Sequence, residues 1–335
     1  MVEKINVLVT GSGSLYGLAI LQSLLKSQLP CRLVCCDSDS LTVGLHLVDT
    51  AYLVPPASAK KIWLDKMIDI CSRERIAAVF IGSSHEVPLF ADYQDQITEA
   101  TGAKIFVHPY SVIKKCLDKW QTILFLKQHG FHYPRTLRWP EDSIKLGQFL
   151  KQVSLPVVAK PRFGAGSEGV AVLSERQQIR YFLADKKQYL LQEYLPDTDG
   201  EFTVGICVGA KGNVLSSVAL RRTLRDGMTM AALSDRYGDI CAYCERVAVS
   251  LGAYGPLNIQ LRLRQQKPYI FEMNPRFSSS TGMRIALGVN EPELLLKSEI
   301  FGQSVTKPVV DQKLVLRQYA DYVFPISKMK ELKRI

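Results

Sequence analysis

Three oxygen-bearing side chains, Gln260, Glu272 and Asn274, fall within the stretch Asn258 to Gly282, NIQLRLRQQKPYIFEMNPRFSSSTG, at spacings that let them meet. Asn258, Gln260, Arg262 and Arg264 alternate with Ile259, Leu261 and Leu263, which predicts a strand with one polar and one apolar face. A second strand is predicted with Glu272 and Asn274 on its polar face and Tyr269, Phe271 and Met273 behind. The polar QQKP between them supplies a turn that folds the pair antiparallel. Hard oxygen donors suit Mg²⁺, which is commonly held by one or two carboxylates plus substrate phosphates. The plain alternative is an amphipathic hairpin with a solvated polar face.

A second chemistry-bearing stretch is PVVAKPRFGAGSEGVAVL, in which Lys160 ends an apolar strand and Gly164, Gly166 and Gly169 follow it. Backbone N–H groups of such a loop can close over phosphates, because glycine permits close approach and a nest of donors attracts anions. The lysine precedes the glycines and no Gly-Lys-Ser/Thr opens a helix, so the loop is a strand–loop–strand flap rather than a P-loop; a flexible hairpin turn is the plain alternative. Next comes YLLQEYLPDTDGEF, a strand, a connector and a second strand starting at Glu201. A connector between lobes suits an adenine on backbone groups, with an acid nearby for ribose hydroxyls. Arg221 and Arg222 follow in VALRRTLRDG.

The elements that must position these residues begin with INVLVTGSGSLYG, a buried parallel strand, a glycine turn and a helix start. The next strand, CRLVCCD, ends at Asp37, where a ribose-binding acid would sit, so a nicotinamide-dependent oxidoreductase is a rival reading. Gly11, Gly13 and Gly17 are spaced G-x-G-x-x-x-G rather than G-x-G-x-x-G. A helix around Ile62 to Arg73 and the strands AAVFIGS and KIFVH continue the α/β alternation to about residue 108. From Ser111 to Gly130 the pattern is helical, with Asp118 and Lys119 midway, and a proline-bearing connection follows. No internal repeat is evident.

Composition narrows the function classes. A 335-residue chain with 47% hydrophobic and 22% charged residues is globular rather than disordered. No signal peptide or apolar run of about 18 residues is present, so a cytoplasmic location is expected. Eight scattered cysteines, several in apolar runs, agree with that compartment. Cys241 and Cys244 form a lone C-x-x-C at helical spacing, which reads as core packing. The net charge of +10 favours anionic partners, but no basic block or aromatic-studded basic motif points to nucleic acid. The five histidines are dispersed; His85 and Glu86, in GSSHEVPLF, could reach the cleft, or Glu86 could simply favour a helix start.

With Lys119, Lys160, the glycine flap, QEYLPDTDGEF, Gln260, Glu272 and Asn274 in this order, the chain resembles the ATP-grasp superfamily. The nearest likeness is to a single ATP-grasp unit, with its preceding Rossmann-like domain, of the carbamoyl phosphate synthetase large chain. The resemblance implies an α/β and α+β fold: a Rossmann-like domain over 1–110, an ATP-grasp domain over 111–310 with a mobile β-rich lid at about 153–195, and a segment 311–335 packing on the ATP-grasp core. It implies two Mg²⁺ ions, for which Mn²⁺ can substitute, one on Gln260 and Glu272 and one on Glu272 and Asn274. Lys119, Lys160 and the flap residues Gly164, Gly166, Ser167 and Gly169 would touch ATP phosphates. Gln192, Glu193, Tyr194 and Leu195 would hold adenine, Glu201 ribose, and Arg276 with Lys160 and Arg222 the reacting groups. The implied chemistry is transfer of the γ-phosphoryl of ATP to a carboxylate, followed by displacement of phosphate by an amine or other nucleophile. The partners would be small-molecule carboxylates and amines, without nucleic acid or membrane, and with a homodimer among the allowed assemblies. A nucleotide-binding regulator without turnover is the other alternative.

Overall fold

A computed structural model of the chain describes residues 4–334 apart from Ala165, Ser167 and Arg236. The apolar run Ile5–Thr10 (β1) buries Val7 and Val9 on one face and Leu8 on the other, as a strand central to a parallel sheet must. Cys31–Asp37 (β2), Thr50–Leu53 (β3), Ile76–Ile81 (β4) and Lys104–Ile105 (β5) complete the sheet, in the order β3-β2-β1-β4-β5 and all parallel. The strand expected over KIFVH is thus only two residues long. Leu15–Leu25 (α1) covers the Val7 face, with the short Val43–His46 (α2) beside it. Lys60–Arg73 (α3) and Val87–Thr101 (α4) cover the Leu8 face through Trp63, Met67 and Phe90. This is the expected Rossmann-like opening.

The helical pattern over 111–130 resolves into two helices, Tyr110–Leu117 (α5) and Lys119–Gln128 (α6). Asp118 breaks them, because its carboxylate accepts the N–H groups of Trp120 and Gln121 from outside the second helix. Beyond it, Thr136–Trp139 (β6), Val157–Pro161 (β7), Ala171–Leu173 (β8) and Tyr189–Glu193 (β9) form a small antiparallel sheet in the order β6-β9-β7-β8. Leu146–Gln152 (α7) and Arg176–Leu183 (α8) back it. The β-rich unit therefore starts at Thr136 rather than at about residue 153. Four residues after a proline give little local sign of a strand, and only pairing with β9 makes them one.

The main antiparallel sheet comprises Glu201–Val208 (β10), Val214–Arg225 (β11), Met228–Ser234 (β12), Gly255–Arg264 (β13), Lys267–Asn274 (β14) and Lys313–Leu316 (β15), ordered β14-β13-β10-β11-β12-β15. Gly238–Leu251 (α9) covers one face together with α5 and α6, burying Cys244 and Val247 against Val204 and Ile259. Thr281–Ala286 (α10) and Glu291–Glu299 (α11) lie on the other. There Leu220, Phe277 and Leu295 share one cluster with Val7 and Phe80 of the parallel sheet and Ile20 of α1. The segment 311–335, expected on the ATP-grasp core, meets both sheets: β15 edges the main sheet, while Lys333–Arg334 pairs in parallel with β3. Lys333 Nζ there lies 2.9 Å from Glu74 Oε1.

Candidate functional site

The hairpin of β13 and β14 turns at Gln265 and Gln266, both with positive φ, and pairs Asn258 with Asn274 and Gln260 with Glu272. Directly opposed residues share a face, so Gln260 and Glu272 converge. The register then shifts between Gln260 and Leu261, so that Ile270, not Phe271, opposes Leu261. A bulge re-aims the side chains around it. Phe271, expected behind the sheet with Met273, instead lines the cavity in front, and Tyr269 lies under Arg264, whose guanidinium is 4.1 Å from the ring centre. A bulge leaves no mark in a pattern of alternating residues.

Two lysines meet this hairpin from other elements. Lys160, on β7, is buried and donates from Nζ to the Phe271 carbonyl at 3.1 Å. Its pKa is pushed down to about 8, chiefly by burial; Glu272 opposes that shift and Lys119 adds to it. Lys119, at the start of α6, is also buried and donates to the Gly164 carbonyl at 2.6 Å; burial lowers its pKa as well, against the pull of Glu272 and Asp118. The flap is anchored at its base, where Arg162 bonds Asp118 with both carboxylate oxygens, at 2.8 and 2.6 Å, and its carbonyl accepts the Lys119 N–H. Gly164, Gly166 and Gly169 have φ of 111°, 72° and 70°, a region that side chains disfavour. Gly164 lines the cavity; Gly166 and Gly169 lie outside its lining, and Ser167 lies outside the described residues.

Lys119, Lys160, Gly164, Gln260 and Glu272 line one cavity of about 220 Å³. It is also lined by Gln192 and Glu193 at the end of β9 and by Tyr194 and Leu195 of the connector, with Glu201 and Arg222. Gln192 is buried and donates to Thr136 Oγ1 at 2.9 Å. The Glu193 N–H already pairs with the Arg135 carbonyl, and its carboxylate accepts Arg264. Among the described residues no acceptor meets the Leu195 N–H, whereas its carbonyl accepts Arg262 Nη1. Glu201 is clamped by two arginines: Arg222 Nη2 at 2.7 Å on one oxygen and Arg262 Nη2 at 2.6 Å on the other. Arg222 also donates to Gln260 Oε1 at 3.0 Å. Arg262 was not singled out from the sequence; its alternation with Gln260 on one strand is the signal that could have found it.

Asn274 and Arg276 line a second cavity, of about 270 Å³, which shares Lys119, Gly164 and Glu272 with the first. Arg276 is fixed on three sides, donating to Ser84 Oγ at 2.9 Å, to the Phe277 carbonyl at 2.8 Å and to Asn274 Oδ1 at 3.3 Å. Its guanidinium stacks 4.5 Å from the Tyr16 ring centre, and burial lowers its pKa. Tyr16 and Ser84 come from the parallel-sheet unit, so this cavity is built between the two halves of the chain. His85 lines it too, exposed. Glu86 stands at the start of α4, one of the two readings of it, but makes no helix-cap bond: it is buried and accepts Thr10 Oγ1 at 2.6 Å and Trp63 Nε1 at 3.1 Å. Asp37 accepts the Gly13 and Asp39 N–H groups, bracing its own loop.

Among the described residues no three His, Cys, Asp or Glu side chains gather as metal ligands. The hairpin offers one carboxylate, Glu272, flanked by the amides of Gln260 and Asn274, with Asn274 Nδ2 donating to Glu272 Oε1 at 3.0 Å. This all-oxygen set fits Mg²⁺ in the sparse manner in which a substrate's phosphates complete the shell.

Residues 185–321 match the family model described as ATP-grasp in the biosynthetic pathway with Ter operon. The structure superposes on N5-carboxyaminoimidazole synthetase from Staphylococcus aureus, solved with ADP, with a TM-score of 0.72 over 93% of this chain and 81% of that one, at 14% identity. The fold is ATP-grasp. The same ATP-grasp likeness extends to an L-amino acid ligase from Bacillus licheniformis, with a TM-score of 0.67 and 17% identity over 89% of this chain and 74% of that one. In sequence, the carbamoyl phosphate synthase large chain of Pyrococcus furiosus is 21% identical over 315 residues, 84% of this chain. The chain spans only 29% of the length of that relative. Among the described residues no helix is long and apolar enough to cross a membrane.

Proposed function

We propose that this chain is an ATP-dependent ligase that converts a carboxylate to an acyl phosphate, releases ADP, and passes the acyl group to an amine or other nucleophile with loss of phosphate. The observation that carries the reading is the convergence of two buried lysines, Lys119 and Lys160, with Glu272 where the two cavities adjoin. Two desolvated cations facing one carboxylate form a site still short of negative charge, and a nucleotide's phosphates would supply it. The adenine would lie against the connector, with the open Leu195 N–H as its donor. Its ribose would reach Glu201, exchanging for part of the hold of Arg222 and Arg262. The flap, released from Lys119, would close its backbone over the β- and γ-phosphates.

Gln260, Glu272 and Asn274 would hold Mg²⁺, which when bound neutralises phosphate charge. The cavity at Arg276 would receive the carboxylate. Arg276 is pre-oriented by Ser84, Asn274 and Tyr16, so its guanidinium can align an anionic oxygen with little reorganisation. A carboxylate oxygen attacks the γ-phosphorus, the bond to the β-phosphate oxygen breaks, and ADP leaves. Phosphoryl transfer of this kind needs positioning and charge neutralisation and no covalent protein nucleophile. The likeness to ligases solved with this fold agrees with the reading.

The test is ADP release screened against amino acids singly and in pairs, followed by ¹⁸O transfer from the labelled acid into inorganic phosphate. Hydroxylamine should trap the intermediate as a hydroxamate. Formation of AMP, or label retained wholly in the acyl product, would sink the mechanism.

A further inference from the structure

A third cavity, of about 770 Å³ and larger than either part of the nucleotide-side site, opens at the carboxyl ends of the parallel strands. Its walls are the loops that follow β1, β2, β3 and β4, and it sits where the strand order reverses between β1 and β4. Ligand crevices of open parallel sheets form at that switch point. In a chain of net charge +10, this crevice is lined by the carboxylates of Asp37, Asp39 and Asp92, with Glu86 buried behind them on Thr10 and Trp63, against Lys60 and the imidazole of His85.

That lining rejects phosphate. Asp37 already accepts the Gly13 N–H, so a carboxylate occupies the place on the glycine turn that a nucleotide phosphate would need. Asp37 and Asp39 are braced by backbone N–H groups, Gly13 and Asp39 on the first and Leu41 on the second, and their remaining lone pairs are free to meet a cation. His85 lines this crevice and also the cavity that holds Arg276 and Asn274, and Ser83 and Ser84 adjoin across the boundary. The two cavities are therefore neighbours, with a titratable nitrogen at their junction.

We propose that the crevice is the subsite of the nucleophile, and that this nucleophile is an amine carrying a second positive charge, as in a diamine. The inference rests on the ligase reading for the fate of the amine but not for its binding. One ammonium is held by the crevice carboxylates while the other gives a proton to His85 and presents its lone pair to the acyl carbon. The C–N bond forms, the acyl C–O bond to phosphate breaks with its electron pair on phosphate, and that phosphate carries off the second amine proton.

The experiment is calorimetric titration of the full chain with 1,4-diaminobutane, n-butylamine and 4-aminobutanoate, three probes of similar length that differ in the far group. The diamine should bind tightest and 4-aminobutanoate weakest. In the D39N/D92N double variant, with its melting temperature checked against the parent, diamine affinity should fall about three- to tenfold, the size expected of two solvent-exposed charge pairs. Lys60→Ala should strengthen diamine binding. Equal affinity for the three probes, tightest binding of 4-aminobutanoate, or a folded double variant that binds the diamine as the parent does would each overturn the proposal. ATP-dependent hydroxamate formation by the parent chain tests the ligase reading separately, so one can fail while the other stands.

Discussion

Lys160 holds its charge with difficulty, since burial pushes its pKa down to about 8 while Glu272 only partly compensates. A charged ammonium is what a phosphate needs, so kcat/KM for ATP should fall about tenfold per pH unit above roughly pH 8, the free-enzyme pKa governing that parameter. The profile of kcat should break at higher pH, because bound phosphates hold the proton on. A flat kcat/KM profile from pH 7 to 10 would remove Lys160 from the phosphate site. Glu272 has no substitute carboxylate on the hairpin face, so Glu272→Ala should lower turnover by about 10²–10³-fold or more with little change in melting temperature. Near-parental activity would exclude it as the metal ligand. Glu86 sets a different pH dependence. Burial, with a smaller contribution from Asp37, raises its pKa from 4.5 to about 7, against the hydrogen bonds of Thr10 and Trp63. The folded chain therefore holds a proton that the unfolded chain releases. Stability from this source is fully present below pH 4.5 and is lost as pH rises through 7, by about 3 kcal/mol. Urea titrations across that window should show the decline, and Glu86→Gln should flatten it.

At the scale of elements, the flap and the start of α6 behave as one part, because Asp118 caps the helix, binds Arg162 and orients Lys119 beside Gly164. Nucleotide phosphates that draw Lys119 away from the Gly164 carbonyl would free the flap to close. Hydrogen exchange over residues 162–169 should slow when a non-hydrolysable ATP analogue and Mg²⁺ are added, as for a lid that orders on its ligand. Asp118→Ala should cost about 1–2 kcal/mol of stability through the lost cap and should also raise KM for ATP. Unchanged exchange would make the glycines a structural turn. The loop after Arg276 is held differently, by a buried ion pair in which Arg284 Nε and Nη2 each lie 2.8 Å from a Glu291 oxygen, with Ser278 accepting from Nη1 and Thr281 from Nη2. That guanidinium packs against Gly205, where an added Cβ would come within 2.2 Å of it. Main-sheet strand, ion pair and substrate-side loop are thereby fixed together.

In the whole molecule, one apolar cluster joins the parallel-sheet unit to the ATP-grasp core, with Phe80 of the first 6.1 Å from Phe277 of the second. Separating the halves would expose this face to water, so they should unfold in a single transition. Trp63 fluorescence in a Trp120→Phe/Trp139→Phe background, reporting on the first unit, and far-ultraviolet dichroism, reporting on the whole, should give one melting temperature. Phe277→Ala, which empties a buried position, should cost about 3–5 kcal/mol of stability and lower the melting temperature seen by both probes together. Two separated transitions would show that the units are stable apart. The same junction builds the cavity at Arg276, so loss of the interface and loss of the carboxylate subsite proposed there should coincide.

The alternation of Asn258 to Arg264 and the polar turn after it determine, by themselves, a hairpin that sets Gln260 opposite Glu272, because side-chain direction in a strand is a local property. The apolar runs of β1, β2 and β4 likewise announce a parallel sheet buried on both faces. Tertiary structure alone decided that a bulge turns Phe271 into the cavity, since a bulge belongs to the register between two strands. It alone brought Arg222 from β11 and Arg262 from β13 onto Glu201, and Thr136–Trp139 into the small sheet, because both depend on elements tens of residues apart meeting. The burial of Glu86 and of the Arg284–Glu291 pair is of the same kind: sequence names the charge, and only the packing around it says whether water can reach it.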